Sequence, residues 1–404
     1  MVPKGWEKNS LDSLFEFKNG LNTEKEQYGN GYKFVNVMDV FRNDILTESK
    51  IIGRVQVTDK QLEGYQLKYG DVLFNRTSET FDEIAIAAIY LDNAIATFGG
   101  FVIRARPKGN QIDPAYSVFL FQSKSYRSQV VKLGQGAIRA NIGQKDLARV
   151  CILVPPLAEQ KKIAQILSTW DKAISVTEKL LTNSQQQKKA LMQQLLTGNK
   201  RLLDENGGRF IGEWCTCTLS EVAHIIMGSS PKSEAYNDNG LGLPLIQGNA
   251  DIKCRVSCPR VYTSDITKEC SPGDILLSVR APVGTVALSQ HKACIGRGIS
   301  AIKSKRKMSQ SFLYQWFLWF EPKWCYLSQG STFESINSDD IKTLKLSVPN
   351  FEEQQKIATV LSAADDEIAT LEKKLACLKD EKKALMQQLL TGKRRVKIDE
   401  AVAA

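Results

Sequence analysis

Histidine is scarce in this 404-residue chain, and several short catalytic motifs are missing from it. Only His224 and His291 occur, so acid–base catalysis by histidine has little material. The lack of Gly-Lys-Ser and Gly-Lys-Thr argues against a phosphate-binding loop, and no Pro-Asp dipeptide begins the common metal-nuclease motif. The one Pro-Pro pair, Pro155-Pro156, precedes Leu157 and so does not form the tetrad with which amino-methyltransferases hold a flipped base. These absences favour a chain that binds over one that catalyses.

Long apolar runs are missing as well. The stretch IAIAAIYL at 84–91 is far shorter than the ~20 residues that cross a bilayer, and the opening MVPKGWEKNS lacks the apolar core of a signal peptide. We therefore expect a cytoplasmic protein with no membrane contact. The net charge of +10 favours an anionic partner such as nucleic acid, although a basic protein that simply stays soluble would have the same charge.

Cysteine is unevenly distributed, with eight of the nine cysteines after position 200. The spacings Cys215-x-Cys217 and Cys254-x-x-x-Cys258 are compatible with zinc ligands. However, the first copy of the internal repeat described below has glutamate and asparagine opposite Cys215 and Cys217, so the same fold forms without those thiols. We expect reduced, buried thiols and no metal site.

One long segment of the sequence occurs twice. The segment from Gln135 aligns without gaps with the segment from Gln329, and the offset of 194 positions holds to the end of ALMQQLLTG in both copies. Upstream, YGDVLFNRTS at 69–78 resembles PGDILLSVRA at 272–281. The chain is therefore two copies of one unit, each with a variable globular part followed by a closely repeated segment.

The repeated segment has the pattern of a long amphipathic helix. Mostly apolar residues recur at alternating spacings of four and three, as in a coiled-coil seam. In the first copy this stripe lies at positions 163, 167, 170, 174, 177, 181, 184, 188, 191 and 195, and in the second copy 194 residues later. Proline and Asn-Phe-Glu-Glu supply start signals, and Gly198 and Gly392 supply stop signals. Each helix of about 38 residues would be on the order of 57 Å long. The first helix leads away from one globular part, so the second must run back to bury its stripe.

We therefore predict a mixed α/β fold: two similar α/β domains separated by two long antiparallel coiled-coil helices, in a pseudo-two-fold internal repeat. The predicted boundaries are 1–154 for the first domain, 155–199 for the first helical spacer, 200–348 for the second domain, 349–396 for the second spacer and 397–404 for a tail. The predicted strands are 31–40, 71–77, 84–91, 101–107 and 149–154 in the first domain, and 243–247, 274–280, 285–289, 299–304 and 344–348 in the second. The predicted helices of the two domains are 114–132 and 310–327.

Polar residues follow several of these strands in both copies. Arg, Gln and Asn can make bidentate hydrogen bonds to guanine and adenine edges, and Ser and Thr can hold phosphates. In the first copy the candidate DNA-binding residues are Asn75, Arg76, Thr77, Ser78, Gln135 and Arg139. In the second copy they are Gln247, Asn249, Arg280, Arg297, Ser331 and Thr332. Each residue alone is compatible with an ordinary solvated loop, and the candidates gain weight only as a set that recurs in both copies.

The repeated motifs resemble those of a known family. VPPLAEQKKIAQIL and VPNFEEQQKIATVL, each followed by a helix ending in LMQQLLTG, resemble the conserved regions of specificity subunits of type I restriction-modification systems. The segments VPKGWEKNSLDSL, GDVLFNR and GDILLSVR are similar to the starts and middles of target recognition domains in that family. The likeness covers essentially the whole chain.

This resemblance implies a division of labour within a larger complex. Each α/β domain would be a target recognition domain that reads one half of a split, asymmetric site in double-stranded DNA, and the helical pair would set the gap. The helices would dock two methyltransferase subunits, which carry S-adenosylmethionine and methylate adenine, while restriction subunits add ATP- and Mg-dependent translocation and cleavage. This chain would hold no cofactor and catalyse nothing. The exposed glutamines repeated in both copies are the predicted partner contacts: Gln193, Gln194, Gln387 and Gln388.

The residues alone are also compatible with two other classes of protein. A non-catalytic coiled-coil scaffold with protein-binding heads would show salt-insensitive binding and no preference among DNA sequences, since phosphate contacts make DNA affinity fall with salt. A self-sufficient DNA-modifying enzyme would cut or methylate DNA as a purified single chain.

Overall fold

The computed structural model describes residues 2–136, 139–324 and 335–398. The chain forms two compact units: unit 1 comprises Met1–Thr177 with Lys374–Ala404, and unit 2 comprises Glu178–Lys373. Each unit thus combines one α/β part with stretches of both long helices. None of the helices in the described ranges is long and apolar enough to cross a membrane.

Unit 1 contains the first half of the strands. Strands β1 to β12 are Glu7–Ser10, Phe15–Asn19, Tyr28–Val35, Ile45–Leu46, Arg54–Val55, Val72–Asn75, Thr77–Ser78, Ala87–Tyr90, Ala96–Phe98, Val102–Pro107, Ala140–Asn141 and Cys151–Val154. Helices α1 to α6 are Leu11–Leu14, Val37–Arg42, Asp59–Tyr65, Pro114–Leu120, Lys124–Leu133 and Gln144–Ala148. The long helix α7, Leu157–Leu195, begins in unit 1 and ends in unit 2.

Unit 2 contains the remaining strands. Strands β13 to β25 are Cys215–Thr218, Ala223–Met227, Tyr236–Asn237, Leu243–Ile246, Ile252–Lys253, Val256–Ser257, Val261–Thr263, Glu269–Cys270, Ile275–Ser278, Val286–Leu288, Ala293–Ile295, Ile299–Ser304 and Lys345–Val348. Helices α8 to α10 are Leu219–Val222, Gln310–Phe320 and Ser338–Lys342. The second long helix, α11, Phe351–Leu389, begins in unit 2 and ends in unit 1.

Two main sheets, besides two two-stranded ladders, form the α/β part of unit 1. The larger has the strand order β2-β10-β6-β8-β4, and the smaller has the order β5-β3-β9 with β3 parallel to β9. Val72 and Phe74 of β6 face a core that includes the long helices, whereas Leu73 faces a second core that it shares with Phe98. Because both faces of this strand are covered, it lacks the alternation of polar and apolar residues that marks a half-exposed strand.

Unit 2 repeats this plan. Its larger sheet has the order β14-β24-β21-β22-β18-β17, and its smaller sheet the order β15-β19-β16-β23-β20 with β16 parallel to β23. Ile275 and Leu277 of β21 face the core that contains parts of the long helices, and Leu276 faces the core that it shares with Ile295. In each unit a two-stranded ladder, β1 with β12 or β13 with β25, lies just before the start of a long helix.

Within unit 1, the segments that belong to the two long helices run antiparallel. Glu159 pairs with Arg395, just beyond the end of α11, and Asp171 pairs with Lys382. Residue numbers therefore rise along α7 in the direction in which they fall along α11.

The segments of the two long helices also run antiparallel within unit 2. Ser184 donates a hydrogen bond to Glu367 at 3.1 Å, and Lys188 pairs with Asp365. Lys188 and Asp365 of unit 2 are the repeat equivalents of Lys382 and Asp171 of unit 1, each 194 positions away. The antiparallel pairing predicted from the sequence is confirmed in both units.

The predicted stripe lies on the packed faces of both helices. Ile163 and Leu167 are fully buried in unit 1, as are Ile357 and Leu361 in unit 2. Most stripe positions nearer the middle of each helix are half-buried, and Thr177 is buried. The lysines of the stripe meet the aspartates just described, and a charged pair on an apolar seam favours one register over its neighbours.

One predicted strand, 31–40, is shorter than expected. Residues 37–40 belong to helix α2. The reason is a capping box, in which the Asn36 main-chain N–H donates to the Asp39 carboxylate at 2.8 Å and so starts a helix directly after β3.

Both predicted domain helices also differ from the structure. The helix predicted over 114–132 is two helices, because Ser123 caps the second one by accepting a hydrogen bond from the N–H of Tyr126. The helix predicted over 310–327 ends as an α-helix at Phe320, and its last predicted residues lie outside the described part of the chain.

Candidate nucleic-acid interface

Four loops of unit 2 meet at one edge of its sheets and line a cleft of about 280 Å³. Three of them follow β14, β16 and β21, and the fourth connects β23 to β24. The lining residues are Ser230, Gln247, Gly248, Asn249, Arg280, Ala281, Arg297 and Gly298. Four of the six candidate residues of the second copy therefore lie together in one polar cleft.

Main-chain hydrogen bonds hold these loops against each other. The N–H of Gly228 donates to the carbonyl of Ile299 at 2.9 Å. The N–H of Gly296 donates to the carbonyl of Ile246 at 2.8 Å. A Cβ at position 228 would lie 2.1 Å from the carbonyl oxygen of Gly296, so a residue with a side chain cannot replace glycine without moving the loops.

A buried carboxylate fixes the loop that carries the cleft's amide side chains. Asp251 is 3% exposed, and it accepts a hydrogen bond from the N–H of Gln247 at 2.8 Å. Arg260 Nε donates to its other oxygen at 2.9 Å and pairs its charge. The Gln247 side chain itself is exposed in the cleft, where it is available to a ligand.

The two arginines of the cleft carry unneutralised charge. Arg297 Nε donates to Ser230 Oγ at 3.1 Å, and its two terminal nitrogens have no partner among the described residues. Within the same part of the chain, the Arg280 side chain forms no hydrogen bond or ion pair, and the Arg280 carbonyl accepts a hydrogen bond from Ser278 Oγ at 3.0 Å. Arg201, by contrast, pairs with a buried carboxylate. The cleft therefore suits an anionic or hydrogen-bond-accepting partner.

The equivalent loops of unit 1 make the same main-chain bonds. The N–H of Gly20 donates to the carbonyl of Val102 at 3.0 Å, and the N–H of Gly99 donates to the carbonyl of Val35 at 3.0 Å. A Cβ at position 20 would lie 1.9 Å from the carbonyl oxygen of Gly99. The two units thus share one loop scaffold, including its obligatory glycine.

The side chains on the unit 1 loops differ from those of unit 2. Asn22, Asn36 and Arg76 are exposed there, and Phe101 is 64% exposed. The Phe101 carbonyl accepts a hydrogen bond from the N–H of Arg76 at 2.9 Å, so the aromatic ring and the guanidinium stand on directly bonded loops. Amides and arginine can hydrogen-bond to base edges, and an exposed ring can stack on a base.

Asn75 and Ser78 hold the loop after β6 together. Asn75 is fully buried; its amide donates to the carbonyls of Thr77 at 3.1 Å and Glu83 at 3.0 Å, and it accepts from the N–H of Ile86 at 2.6 Å. Ser78 Oγ donates to the Glu83 carboxylate at 3.2 Å. The geometry gives these two candidates a positioning role, and the exposed arginine between them presents its side chain to solvent.

Two side chains of α5 hold the far end of the same loop. Arg127 donates to the carbonyls of Asp82 and Ile84, both at 2.7 Å, and the Tyr126 hydroxyl donates to the carbonyl of Ala85 at 2.9 Å. Burial lowers the pKa of Arg127 and raises the pKa of Tyr126. The tyrosine shift favours the protonated hydroxyl that donates to the loop, and the guanidinium stays charged because its ordinary pKa is so high.

A short ladder brings the separate candidate segments of unit 1 together. β7 pairs with β11, which places Thr77 opposite Asn141. Gln135 exchanges main-chain hydrogen bonds of 2.8 and 2.7 Å with the same Asn141. The ladder and these bonds bring the backbone of Gln135 and Arg139 next to that of Arg76, although they are far apart in sequence. The side chains of Gln135 and Arg139 are exposed.

The corresponding region of unit 2 is described only in part. Arg280 forms an isolated antiparallel bridge with Ser335, which takes the place of the β7–β11 ladder. The candidates Ser331 and Thr332 lie outside the described residues.

All four candidate partner-binding glutamines, Gln193, Gln194, Gln387 and Gln388, are exposed. Their main chain closes the helix ends, since the N–H groups of Lys200 and Arg394 donate to the carbonyls of Gln194 and Gln388 at 3.0 and 3.2 Å. In unit 1, Gln388 also lines a groove of about 820 Å³ that contains Trp170 and several basic side chains. The side chains at this helix end are therefore free to meet another protein.

Three residues of these loops were not predicted from the sequence: Ser230 in unit 2, and Asn22 and Phe101 in unit 1. A signal for each was present. Asn22 and Ser230 each stand two positions after the glycine shared by the two copies, and Phe101 ends a Gly-Gly-Phe that matches Gly-Arg-Gly in the second copy.

Comparison with known proteins assigns the chain to a family. A family model described as type I restriction modification DNA specificity domain matches residues 3–183 and 211–380. A Methanocaldococcus jannaschii protein assigned as the specificity subunit of the type I restriction enzyme MjaX is 33% identical, over 98% of this chain and 95% of its own length. The chain belongs to the type I restriction-modification DNA specificity family, as its motifs predicted.

Solved structures share its fold over nearly the whole length. The HsdS subunit from Thermoanaerobacter tengcongensis is 25% identical, covers 97% of this chain and 98% of its own, and superposes with a TM-score of 0.51. A chain from a study of complex assembly and conformational transition of the type I R-M system is also 25% identical, with 96% and 98% covered and a TM-score of 0.60. The predicted mixed α/β architecture with an internal repeat is confirmed.

Proposed function

We propose that this chain is the DNA sequence-specificity subunit of a type I restriction-modification complex, and that each unit reads one half of an asymmetric bipartite site. The pair of loop clusters carries this proposal. The same main-chain bonds hold the loops in both units, while the side chains on those loops differ. A shared scaffold with different side chains is what reading two different half-sites requires.

We assign the DNA contacts to those residues predicted from the sequence that are exposed or half-buried in each cluster. In unit 2 these are Gln247, Asn249, Arg280 and Arg297, with Ser331 and Thr332 expected beside them. In unit 1 these are Arg76, Thr77, Gln135 and Arg139, with Asn75 and Ser78 holding the loop in place. The net charge of +10 supports association with the phosphate backbone, which positions the protein before bases are read.

The helical pair has two roles in this proposal. It sets the number of unspecified bases between the half-sites, and it docks two methyltransferase subunits that carry S-adenosylmethionine and methylate adenine. Restriction subunits that use ATP and Mg complete the complex. The exposed glutamines at equivalent helix ends, one of them beside the groove of unit 1, support a surface that meets the same partner twice.

The functional segments follow from these roles. We assign target recognition to 1–154 and 200–348, spacing and docking to 155–199 and 349–396, and no role to the tail at 397–404. Recognition is then the sole contribution of this chain, and methyl transfer and cleavage belong to its partners.

Methylome sequencing tests the proposal. The chain is co-expressed with its cognate methyltransferase subunit in a host that lacks adenine methylation, and the control strain carries the methyltransferase subunit alone. We expect one asymmetric, bipartite motif with a fixed gap in the first strain and no motif in the control. A continuous or palindromic motif, or methylation in the control, would contradict the proposal.

A further inference from the structure

We infer that Arg297 reads a guanine in the half-site recognised by unit 2, and that Ser230 positions its guanidinium for this contact. The inference rests on the proposed function, because it specifies what one of the two loop clusters recognises.

The hydrogen bonding of Arg297 leaves the right donors free. Its Nε is held by Ser230 Oγ at 3.1 Å, while Nη1 and Nη2 have no partner in the described ranges. Guanine presents two neighbouring acceptors, O6 and N7, in the major groove, and an arginine fork that donates to both is the commonest specific contact between protein and DNA. The hydrogen bond to Ser230 fixes the plane of the guanidinium and leaves the edge that carries Nη1 and Nη2 free to donate.

The main chain around Arg297 is rigid on both sides. The N–H of Gly296 donates to the carbonyl of Ile246 at 2.8 Å, and the N–H of Gly298 donates to the carbonyl of Gln247 at 3.2 Å. Both flanking glycines pack closely on the neighbouring loop; a Cβ at position 298 would lie 2.4 Å from the Gln247 carbonyl oxygen. A side chain that reads a nucleobase needs a rigid main chain beneath it, because a small displacement breaks a bidentate contact.

The surroundings of Arg297 favour a base edge over a phosphate. The cleft also contains the amides of Gln247 and Asn249, which can donate and accept and so match base edges, whereas a phosphate only accepts. A phosphate is the alternative ligand, and it would be bound without regard to sequence.

Unit 1 has no arginine at the corresponding place. Gly99 corresponds to Gly296, because each donates its main-chain N–H to the last residue of a strand, Val35 in unit 1 and Ile246 in unit 2. In both units the loop after that strand carries an amide side chain. Arg297 therefore corresponds to Gly100, which has no side chain and where a Cβ would lie 2.1 Å from Asn22 Oδ1. This guanine contact is consequently expected in one half-site only.

Competition binding with modified duplexes tests the inference. The assembled complex with its methyltransferase subunit is given duplexes in which each guanine of the unit 2 half-site is replaced in turn by 7-deazaguanine, which lacks the N7 acceptor. At one position the unaltered complex should lose about tenfold in affinity or more. Arg297→Ala should lose affinity for the normal duplex and become indifferent to the replacement at that position. Ser230→Ala should show an intermediate response, and Arg306→Ala, in the turn after the far end of β24, should behave like the unaltered protein.

Two results would overturn the inference while leaving the proposed function intact. One is a unit 2 half-site made only of A·T pairs. The other is an Arg297→Ala complex that binds every duplex more weakly but keeps the same response to each 7-deazaguanine, which would mean a phosphate contact. Absence of any bipartite motif, by contrast, would refute the proposed function itself.

Discussion

Replacing Arg201 with alanine should destabilise unit 2, because it leaves a buried carboxylate unpaired. Glu353 is 0% exposed, and it accepts hydrogen bonds from Arg201 Nε and Nη2, both at 2.6 Å. Its side chain has no other donor among the described residues. Removing one partner of a buried ion pair costs roughly 3–5 kcal/mol. The Arg201 side chain is 24% exposed, so water can reach part of the site and we expect about 3 kcal/mol.

Arg395→Ala in unit 1 is the matched control. Glu159 accepts the same two bonds from Arg395, but it also accepts one from Trp6 Nε1 at 3.0 Å. The indole N–H remains after the substitution and continues to stabilise the carboxylate. We therefore expect a smaller loss, about 1–2 kcal/mol in the free energy of unfolding.

Differential scanning calorimetry of the purified chain measures both effects. For a unit of about 200 residues, 3 kcal/mol corresponds to a fall in Tm of roughly 6–12 °C. The double variant Arg201→Ala with Glu353→Gln should recover part of this loss, because no charge is then buried alone. If Arg201→Ala is no more destabilising than Arg395→Ala, the reasoning from the buried carboxylate is refuted.

Two further variants, one with a single substitution and one with four, test the loop scaffold and the partner surface. Gly228→Ala should push apart the loops around the unit 2 cleft, since its Cβ would lie 2.1 Å from the Gly296 carbonyl oxygen. We expect a large loss of methylation in the assembled complex, whereas Gly109→Ala, at an exposed bend of unit 1 with nothing within 4 Å and no positive φ, should leave methylation unchanged; equal activity of the two variants would argue against a rigid scaffold. Replacing the four exposed glutamines by alanine should weaken co-purification of the methyltransferase subunit and shift the Tm of the isolated chain by little, and undiminished co-purification would remove them from the docking surface.

The long helices could be predicted from the sequence because one physical effect dominates them. A long, mostly apolar stripe favours packing against a second helix, and the segments of the two long helices pack antiparallel within each unit. The short strands gave a weaker signal. All four residues of β6 are buried, so the strand shows no alternation, and its end at Asn75 depends on a hydrogen bond from Ile86 far along the loop.

The candidate site was predictable by residue type but not by orientation. Arg280 and Arg297 are lone arginines in loops, and the structure places both in one cleft. Asn75 and Arg76 are adjacent polar residues that look equally suitable in the sequence, yet one is fully buried and the other exposed. The difference arises because the Asn75 amide bonds to the main chain of the loop after β6, at Thr77, Glu83 and Ile86, and residue type alone does not reveal how this loop folds.

The central proposal is that the helical pair sets the number of unspecified bases between the two half-sites, and a matched insertion in both helices tests it most directly. One heptad is inserted between Thr177 and Glu178 and another between Leu375 and Ala376, which keeps both lysine–aspartate pairs on their own sides of the insertions. Seven helical residues add about 10 Å, or roughly three base pairs of duplex at 3.4 Å each. Methylome sequencing of this variant should show both half-sites unchanged and a gap longer by about three bases. An unchanged gap, or altered letters in either half-site, would contradict the account.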